Sequence, residues 1–126
     1  MLFLKEFRPA INRTVIHLVE GMIEPGETIE QATCRELMEE TGHTAGSVNP
    51  IYGPTYAADA ISDIRIQTMR VICEPDPNAQ PENNPVEPID IFWCGKAKTR
   101  NLLASKDVSW STRAQMAALL FVTGGL

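Results

Sequence analysis

The sequence lacks long apolar runs: none of its 126 residues lies in a stretch near the roughly 18 apolar residues of a membrane-spanning helix. The opening segment, Met1 to Glu6, is too short and too soon charged to be a secretory signal. We therefore expect a cytoplasmic protein with no membrane partner. The sequence also lacks an excess of positive charge, because its net charge at pH 7 is −5. Since nucleic-acid binders usually carry a basic patch, we expect no nucleic-acid partner.

Cysteines are few and odd in number, and Cys34, Cys73 and Cys94 are widely spaced. Such a set fits neither a disulfide framework nor a zinc ribbon, so we expect buried structural thiols. No repeat or internal linker divides the sequence, and its length predicts one domain over residues 1–126.

Residue patterns predict a mixture of strands and helices. Strands are expected where β-branched or alternating apolar residues occur, at 2–4, 14–19, 64–71 and 89–93. Thr28 and Gln31 have capping-box spacing, which predicts a helix over Ile29–Thr41 that ends at Gly42. A second helix is expected over 113–122. Loops are expected over 47–56, with one short strand at most, and over the proline-rich residues 74–88.

Six glutamates are concentrated between Gly21 and Gly42. Glu36 and Glu40 are four residues apart, so they share one helix face, and Glu39 flanks it. Only Arg35 offsets these three charges. One interpretation is a solvated acidic face. The other is a site for a hard divalent cation, because Mg²⁺ prefers a few carboxylates together with water and phosphate oxygens.

The spacing of this segment resembles the Nudix box. It has Gly21, five residues, Glu27, seven residues, and then Arg35-Glu36-Leu37-Met38-Glu39-Glu40-Thr41-Gly42, with His43 in place of the usual aliphatic residue. The resemblance implies an α/β (α+β) Nudix fold, a mixed β-sheet sandwiched between helices. It also implies hydrolysis of a nucleoside diphosphate linked to another group, with Mg²⁺ (or Mn²⁺) as cofactor. Glu36 and Glu40 match metal ligands, Glu39 a ligand or water-activating residue, and Arg35 the arginine that orients the carboxylates.

The segment Phe7-Arg8-Pro9 resembles the ADP-ribose and ADP-sugar pyrophosphatase branch of the family. This resemblance implicates Arg8 in substrate binding and Glu87 as the catalytic base, with Asp90 as second choice. Glu20 replaces an alanine whose carbonyl binds metal, and it could add its side chain as a ligand. His17 replaces a substrate-holding glutamate. It is either a substrate-binding residue or a partly buried strand histidine.

Family members also carry an N-terminal strand segment that, in this branch, helps form a dimer and stacks an aromatic residue on adenine. The sequence begins after the corresponding position, so the fold is expected to be shortened and homodimeric only if that segment is supplied. The expected function is hydrolysis of the small-molecule substrate ADP-ribose, or of another ADP-sugar, to AMP and a sugar phosphate. Two alternatives are a weakly active or inactive module that binds ADP-ribose-like ligands or a protein partner, and a truncated, poorly folded product.

Overall fold

The computed structural model describes residues 1–81 and 88–126. The described residues form two compact units, one containing Met1–Glu20 with 88–126 and the other containing Gly21–Pro81. In chain order the elements are β1 (Leu2–Arg8), a 3₁₀ turn (Pro9–Ile11), β2 (Arg13–His17), α1 (Ile29–Thr41), β3 (His43–Pro50), β4 (Thr55–Tyr56), β5 (Arg65–Ile66), β6 (Met69–Pro75), β7 (Asp90–Trp93), α2 (Lys96–Ala104), β8 (Ser109–Trp110) and α3 (Thr112–Thr123). The described part of the chain contains no helix long and apolar enough to span a membrane.

The first unit is built on a four-stranded sheet with the order β7-β1-β2-β8. Strand β1 is antiparallel to both β2 and β7, whereas β2 and β8 are parallel, so the sheet is mixed. Side chains alternate between the faces of a strand. One face contributes Phe3 and Ile16 to a core with Cys94 and Ala118 of the same unit. The ring of Trp110 meets Phe3 edge-on at 5.5 Å between centroids.

The second unit contains α1 and two small antiparallel sheets, β3 with β6 and β4 with β5. Helix α1 begins as predicted: the Thr28 side chain accepts from the Gln31 amide at 3.2 Å, and the Gln31 side chain accepts from the Thr28 amide at 2.8 Å. The helix ends at Gly42, whose φ of 65° lies in the left-handed region that favours glycine. The inward face of the helix carries its buried residues, Ala32, Leu37 and Thr41.

Two predictions of secondary structure were wrong, and one helix was not predicted. Strand β3 covers His43–Pro50, although its glycine, asparagine and proline indicated a loop from residue 47 onwards. It forms because it pairs with β6 over most of its length, and a bulge between Ala45 and Ser47 accommodates Gly46. The predicted strand 64–71 is instead divided into β5 and β6. Helix α2 was missed because it has no side-chain N-cap, and Thr99 is its only fully buried position.

Other expectations are confirmed. The architecture is α+β with a mixed sheet, β7 covers most of the predicted final strand, and α3 matches the predicted terminal helix within one residue at each end. The expectation for the cysteines was only partly right. All three are free thiols, but only Cys94 is buried, whereas Cys34 is exposed on the outward face of α1. The single domain over 1–126 stays a prediction.

Candidate functional site

Arg35 lies at the centre of the acidic segment in the second unit. Its Nε and Nη2 donate to the two carboxylate oxygens of Glu27 at 2.8 and 3.0 Å, and Nη2 also donates to the carbonyl of Met22 at 2.9 Å. Its Nη1 donates to Oε1 of Glu36 at 2.8 Å and to Oε2 of Glu39 at 3.0 Å. One guanidinium therefore ties the turn before α1 to two carboxylates on the helix.

Glu27, Glu36 and Glu39 differ in how many of their carboxylate oxygens accept a hydrogen bond from Arg35. Both oxygens of Glu27 are engaged, and Oε2 also accepts from the Glu24 amide at 2.9 Å. Glu36 and Glu39 each give one oxygen to Arg35, so Arg35 leaves Oε2 of Glu36 and Oε1 of Glu39 unengaged. With one guanidinium among three ionised carboxylates, the cluster has a net charge of −2. Glu27 is thus structural, whereas Glu36 and Glu39 retain ligand capacity.

The same contacts shift two pKa values. The hydrogen bond from Arg35, reinforced by that from the Glu24 amide, lowers the pKa of the Glu27 carboxyl. The hydrogen bonds to Glu27 and Glu36 raise the pKa of the Arg35 guanidinium above its already high value. Both shifts favour the charged forms, as expected for the ion pair between Glu27 and Arg35.

Gly21 lies against the Glu36 side chain. A β-carbon at this position would overlap the Glu36 carboxylate, so only glycine leaves the carboxylate where Arg35 holds it. The backbone of Gly21 does not have a positive φ, unlike that of Gly42. The two glycines of the motif are therefore required for different reasons, one for close approach and the other for helix termination.

Glu40 and His43 complete the segment. Glu40 follows Glu36 by one helical turn on α1 and is partly buried. His43, the departure from the usual aliphatic residue, is buried, and its Nδ1 is 2.9 Å from the carbonyl of Thr41 and 3.1 Å from the Thr41 hydroxyl. Because the ring is hydrogen-bonded locally, a buried imidazole is tolerated at an apolar position.

The donor chemistry of this cluster fits a divalent cation. Among residues 1–81 and 88–126, no three acidic, histidine or cysteine side chains converge to hold a metal by themselves. Mg²⁺ does not require such a cage, since it commonly takes one or two carboxylates and fills its remaining positions with water and phosphate oxygens. Glu36 and Glu39, with a carboxylate oxygen each beyond Arg35 and with the space that Gly21 provides, supply that kind of donor set.

In the first unit, Glu6 brings two predicted substrate residues together. Oε2 of Glu6 is 3.0 Å from Nη2 of Arg8 and 3.3 Å from Nε2 of His17. Nδ1 of His17 is 2.9 Å from the carbonyl of Leu18, a geometry in which the ring donates. Burial lowers the pKa of His17, and Glu6 opposes that effect. His17 is a buried strand residue, as one of its two predicted descriptions states, and its contact with the substrate stays a prediction.

The remaining predicted residues lie elsewhere. Glu20 is exposed and its carboxylate accepts two hydrogen bonds from Arg113, at 2.9 and 2.5 Å. Asp90 begins β7 opposite Lys5. Glu87 lies outside the described residues. Sequence reasoning missed Glu6 and Arg113. Glu6 was detectable, because residues two apart on a strand share a face and Glu6 precedes Arg8 by two.

Comparisons with known proteins agree with the sequence motif. A model of the NUDIX domain matches residues 1–114. A Caenorhabditis elegans protein named as a nudix hydrolase is 30% identical over 90 residues, which are 71% of this chain and 40% of the relative. The ADP-ribose pyrophosphatase of Bacillus subtilis (strain 168) is 39% identical over 51 residues, which are 40% of this chain and 28% of the relative. The chain thus spans less than half the length of these relatives.

A solved structure shares the fold. The crystal structure of an ADP compounds hydrolase matches 99% of this chain and 65% of its own chain, with a TM-score of 0.78 and 21% sequence identity. At this identity the similarity concerns the fold alone. It confirms the α+β fold expected from the sequence motif.

Proposed function

The chain belongs to the NUDIX domain family, whose model matches residues 1–114, and we propose that it hydrolyses a nucleoside diphosphate linked to another group. The proposed substrate is ADP-ribose or another ADP-sugar, and the products are AMP and a sugar phosphate. Similarity to an ADP-ribose pyrophosphatase over 51 residues supports this substrate class. The segment around Arg8 supports it independently, because it resembles the same branch.

The proposal rests on the different ways in which three carboxylates contact Arg35. Glu27 is saturated, whereas Glu36 and Glu39 each commit one oxygen to the guanidinium. The cluster has a surplus of negative charge, and a diphosphate is itself an anion. Direct binding of a diphosphate would therefore be repulsive, and a divalent cation between the two would make it attractive. We propose Mg²⁺, or Mn²⁺ in its place, as that cation.

The chain's own residues would then act in three ways. Glu36, Glu39 and Glu40 would hold the cation, and Glu20 would add its backbone carbonyl or its side chain. When bound, the cation supplies charge neutralisation and a more acidic bound water. A carboxylate of the box or of the loop, from Glu39, Glu40 or Glu87, would accept a proton from the attacking water.

Arg35 and the residues of the first unit would have supporting functions. Arg35 orients Glu36 and Glu39 through one donor atom, Nη1, and so fixes the direction of their remaining oxygens. Arg8 and His17 would contact the substrate. The guanidinium of Arg8 suits a diphosphate because its planar donors can bind phosphate oxygens in pairs. About half of the Arg8 side chain is exposed, so a ligand can reach it.

AMP release from ADP-ribose in the presence of Mg²⁺ tests the proposal. We expect Glu40→Gln to lower kcat by about 100-fold or more, the usual contribution of a positioned acid–base group. Glu30→Gln is a matched control, since Glu30 is an exposed carboxylate in the first turn of the same helix, and it should retain activity within about twofold. Absence of AMP release, or equal rates for the two variants, would contradict the proposal.

Metal dependence needs its own measurement. Treatment with EDTA should abolish AMP release, and added Mg²⁺ or Mn²⁺ should restore it, because the acidic cluster repels the substrate without a cation. Ca²⁺ is a useful comparison, since it prefers more oxygen ligands at longer distances. Turnover that persists in EDTA would remove the cation from the mechanism and leave the Nudix fold without its proposed chemistry.

A second candidate is a weakly active or inactive module that binds ADP-ribose-like ligands or a protein partner. The observation that favours it is the Glu20 side chain, which replaces the family's alanine and whose carboxylate accepts hydrogen bonds from Arg113. Binding without hydrolysis would stabilise the protein against heat, by about 2.7 kcal/mol at a ligand concentration 100 times the Kd. Thermal stabilisation by ADP-ribose without AMP release would select this candidate, and turnover would eliminate it.

Assembly and compartment are part of the same proposal. We propose a cytoplasmic protein that acts on a small nucleotide-sugar and forms a homodimer. Light scattering of this chain tests the dimer. A monomer would count against it.

A further inference from the structure

We propose that Glu6 is a positioning residue that holds Arg8 for binding of the substrate's diphosphate. This inference rests on the proposed function. It concerns a residue that has no place in the Nudix box and that lies on β1. Glu6 would act through Arg8 and would not itself contact the substrate, because it has the same charge as a phosphate.

The strand register places the three residues on one face of the sheet. Leu4 is directly opposite His17 in the antiparallel pair of β1 and β2. Glu6 and Arg8 follow Leu4 at intervals of two, so their side chains emerge on the same side as His17. The opposite face carries Phe3 and Ile16, which belong to the hydrophobic core of this unit. The alternation of side chains along the strands therefore places Glu6, Arg8 and His17 in one polar row on this face.

Burial makes Glu6 dependent on its partners. Only 10% of its side chain is exposed, and a desolvated carboxylate is costly unless it is paired. Two groups lie near the same oxygen, Oε2: Nη2 of Arg8 at 3.0 Å and Nε2 of His17 at 3.3 Å. Nδ1 of His17 donates to the carbonyl of Leu18, and Nε2 has no hydrogen-bond partner among the described residues, so the neutral ring does not donate to Glu6. Arg8 is consequently the charged partner on which the Glu6 carboxylate depends.

The three side chains of this polar row differ sharply in solvent exposure. His17 and Glu6 have 5% and 10% of their side chains exposed, whereas Arg8 has 48%. One buried carboxylate thus forms an ion pair with one atom of an exposed guanidinium, Nη2, and within the described residues the remaining donors of Arg8 are available to a ligand. An exposed arginine without such an anchor samples many rotamers, and ordering it on binding costs affinity. Glu6 reduces that cost by orienting Arg8 beforehand.

A double-mutant cycle tests the inference. Glu6→Gln keeps the size of the side chain and removes its charge, and we expect it to raise KM for ADP-ribose by about tenfold, the scale of ordering one long side chain on binding. We expect kcat to stay within about twofold, because the box is unaltered. In an Arg8→Gln background the same change should have little further effect on KM, since Glu6 acts through Arg8. A general loss of structure would instead lower activity equally in both backgrounds.

Glu74→Gln is the matched control: it removes one exposed carboxylate from β6, and KM should not change. If Glu6→Gln fails to give a cooperative melt, the cycle is repeated with Glu6→Asp, which keeps the charge but withdraws the oxygen by one methylene. KM equal to wild type in the folded Glu6 variant, or the same rise in the Arg8→Gln background, overturns the inference.

Failure of the proposed function gives a different result. If the wild-type protein releases no AMP, the cycle is measured as the Kd of ADP-ribose by calorimetry, and the same tenfold change is expected. Wild-type turnover with an unaffected Glu6→Gln variant overturns the inference alone. No turnover and no binding of ADP-ribose by the wild-type protein overturn both.

Discussion

Substitution of Gly21 by alanine probes the acidic site with a single methyl group. The added β-carbon would overlap the Glu36 carboxylate, which Arg35 holds at 2.8 Å. Because the overlapping atoms are the end of a flexible side chain, Glu36 can rotate away. Gly21 does not have a positive φ, so alanine adds no backbone strain. The damage should therefore be confined to the direction of one carboxylate.

The expected magnitudes differ for stability and activity. An altered Glu36 rotamer costs about 0.5–1.5 kcal/mol, and the disturbed contact with Arg35 costs about as much again. In a chain of this length, a total near 2 kcal/mol lowers Tm by roughly 6–10 °C. Displacement of a catalytic group by about 1 Å costs on the order of 100-fold in rate. We thus expect a folded protein with kcat reduced by about 100-fold.

Gly53→Ala provides the control. An added β-carbon there meets no atom within 4 Å, and this glycine also lacks a positive φ. Both variants lose the same backbone freedom in the unfolded chain, so that effect cancels between them. Thermal melts and AMP release are measured for both proteins. The reasoning is refuted if Gly21→Ala retains kcat within twofold of Gly53→Ala, because Glu36 would then have no defined role beside Gly21.

Four further predictions concern other parts of the molecule. Thr28→Ala should lower the free energy of unfolding by about 1 kcal/mol, because it removes the N-cap of α1; an unchanged denaturation midpoint would contradict this. Arg113→Ala should cost less than about 1 kcal/mol in the same measurement, since its pair with Glu20 is largely exposed. Glu20→Ala keeps the backbone carbonyl and should retain turnover within about twofold, whereas a tenfold loss would identify its side chain as a ligand. Burial lowers the pKa of His17 from its ordinary value of 6.5, so the unfolded chain binds that proton more readily. The free energy of unfolding should therefore decline as pH falls below about 6.5, and His17→Gln should remove part of that decline in denaturant titrations at pH 7.5 and 5.5.

Local chemistry made the box helix predictable. The limits of α1 follow from the capping pair Thr28 and Gln31 and from Gly42, all within the segment itself. The contact of Arg35 with Glu39 also follows from their spacing of four residues, whereas the contact with the adjacent Glu36 does not. The helix limits and the i,i+4 contact require no knowledge of the rest of the chain, which explains why this segment was predictable from local sequence.

Long-range pairing was not predictable in the same way. Strand β3 contains Gly46, Asn49 and Pro50, which indicate a loop, and it is a strand because β6 pairs with it some 25 residues away. The contact of Glu20 with Arg113 joins residues 93 apart in sequence. No local sequence pattern predicts a contact between residues so far apart in the chain. The partners of Glu20 could be found only after β2 and α3 were placed in one unit.

Arg35 also explains how an acidic cluster can fold before a cation binds. Three ionised carboxylates this close together would repel each other and destabilise α1. The guanidinium offsets that repulsion, and its geometry lets it do so while using both oxygens of Glu27 and only one oxygen each of Glu36 and Glu39. A cation can therefore be bound without displacing Arg35. A lysine could offset the charge but could not span three carboxylates in fixed directions, because its ammonium is a single point of charge.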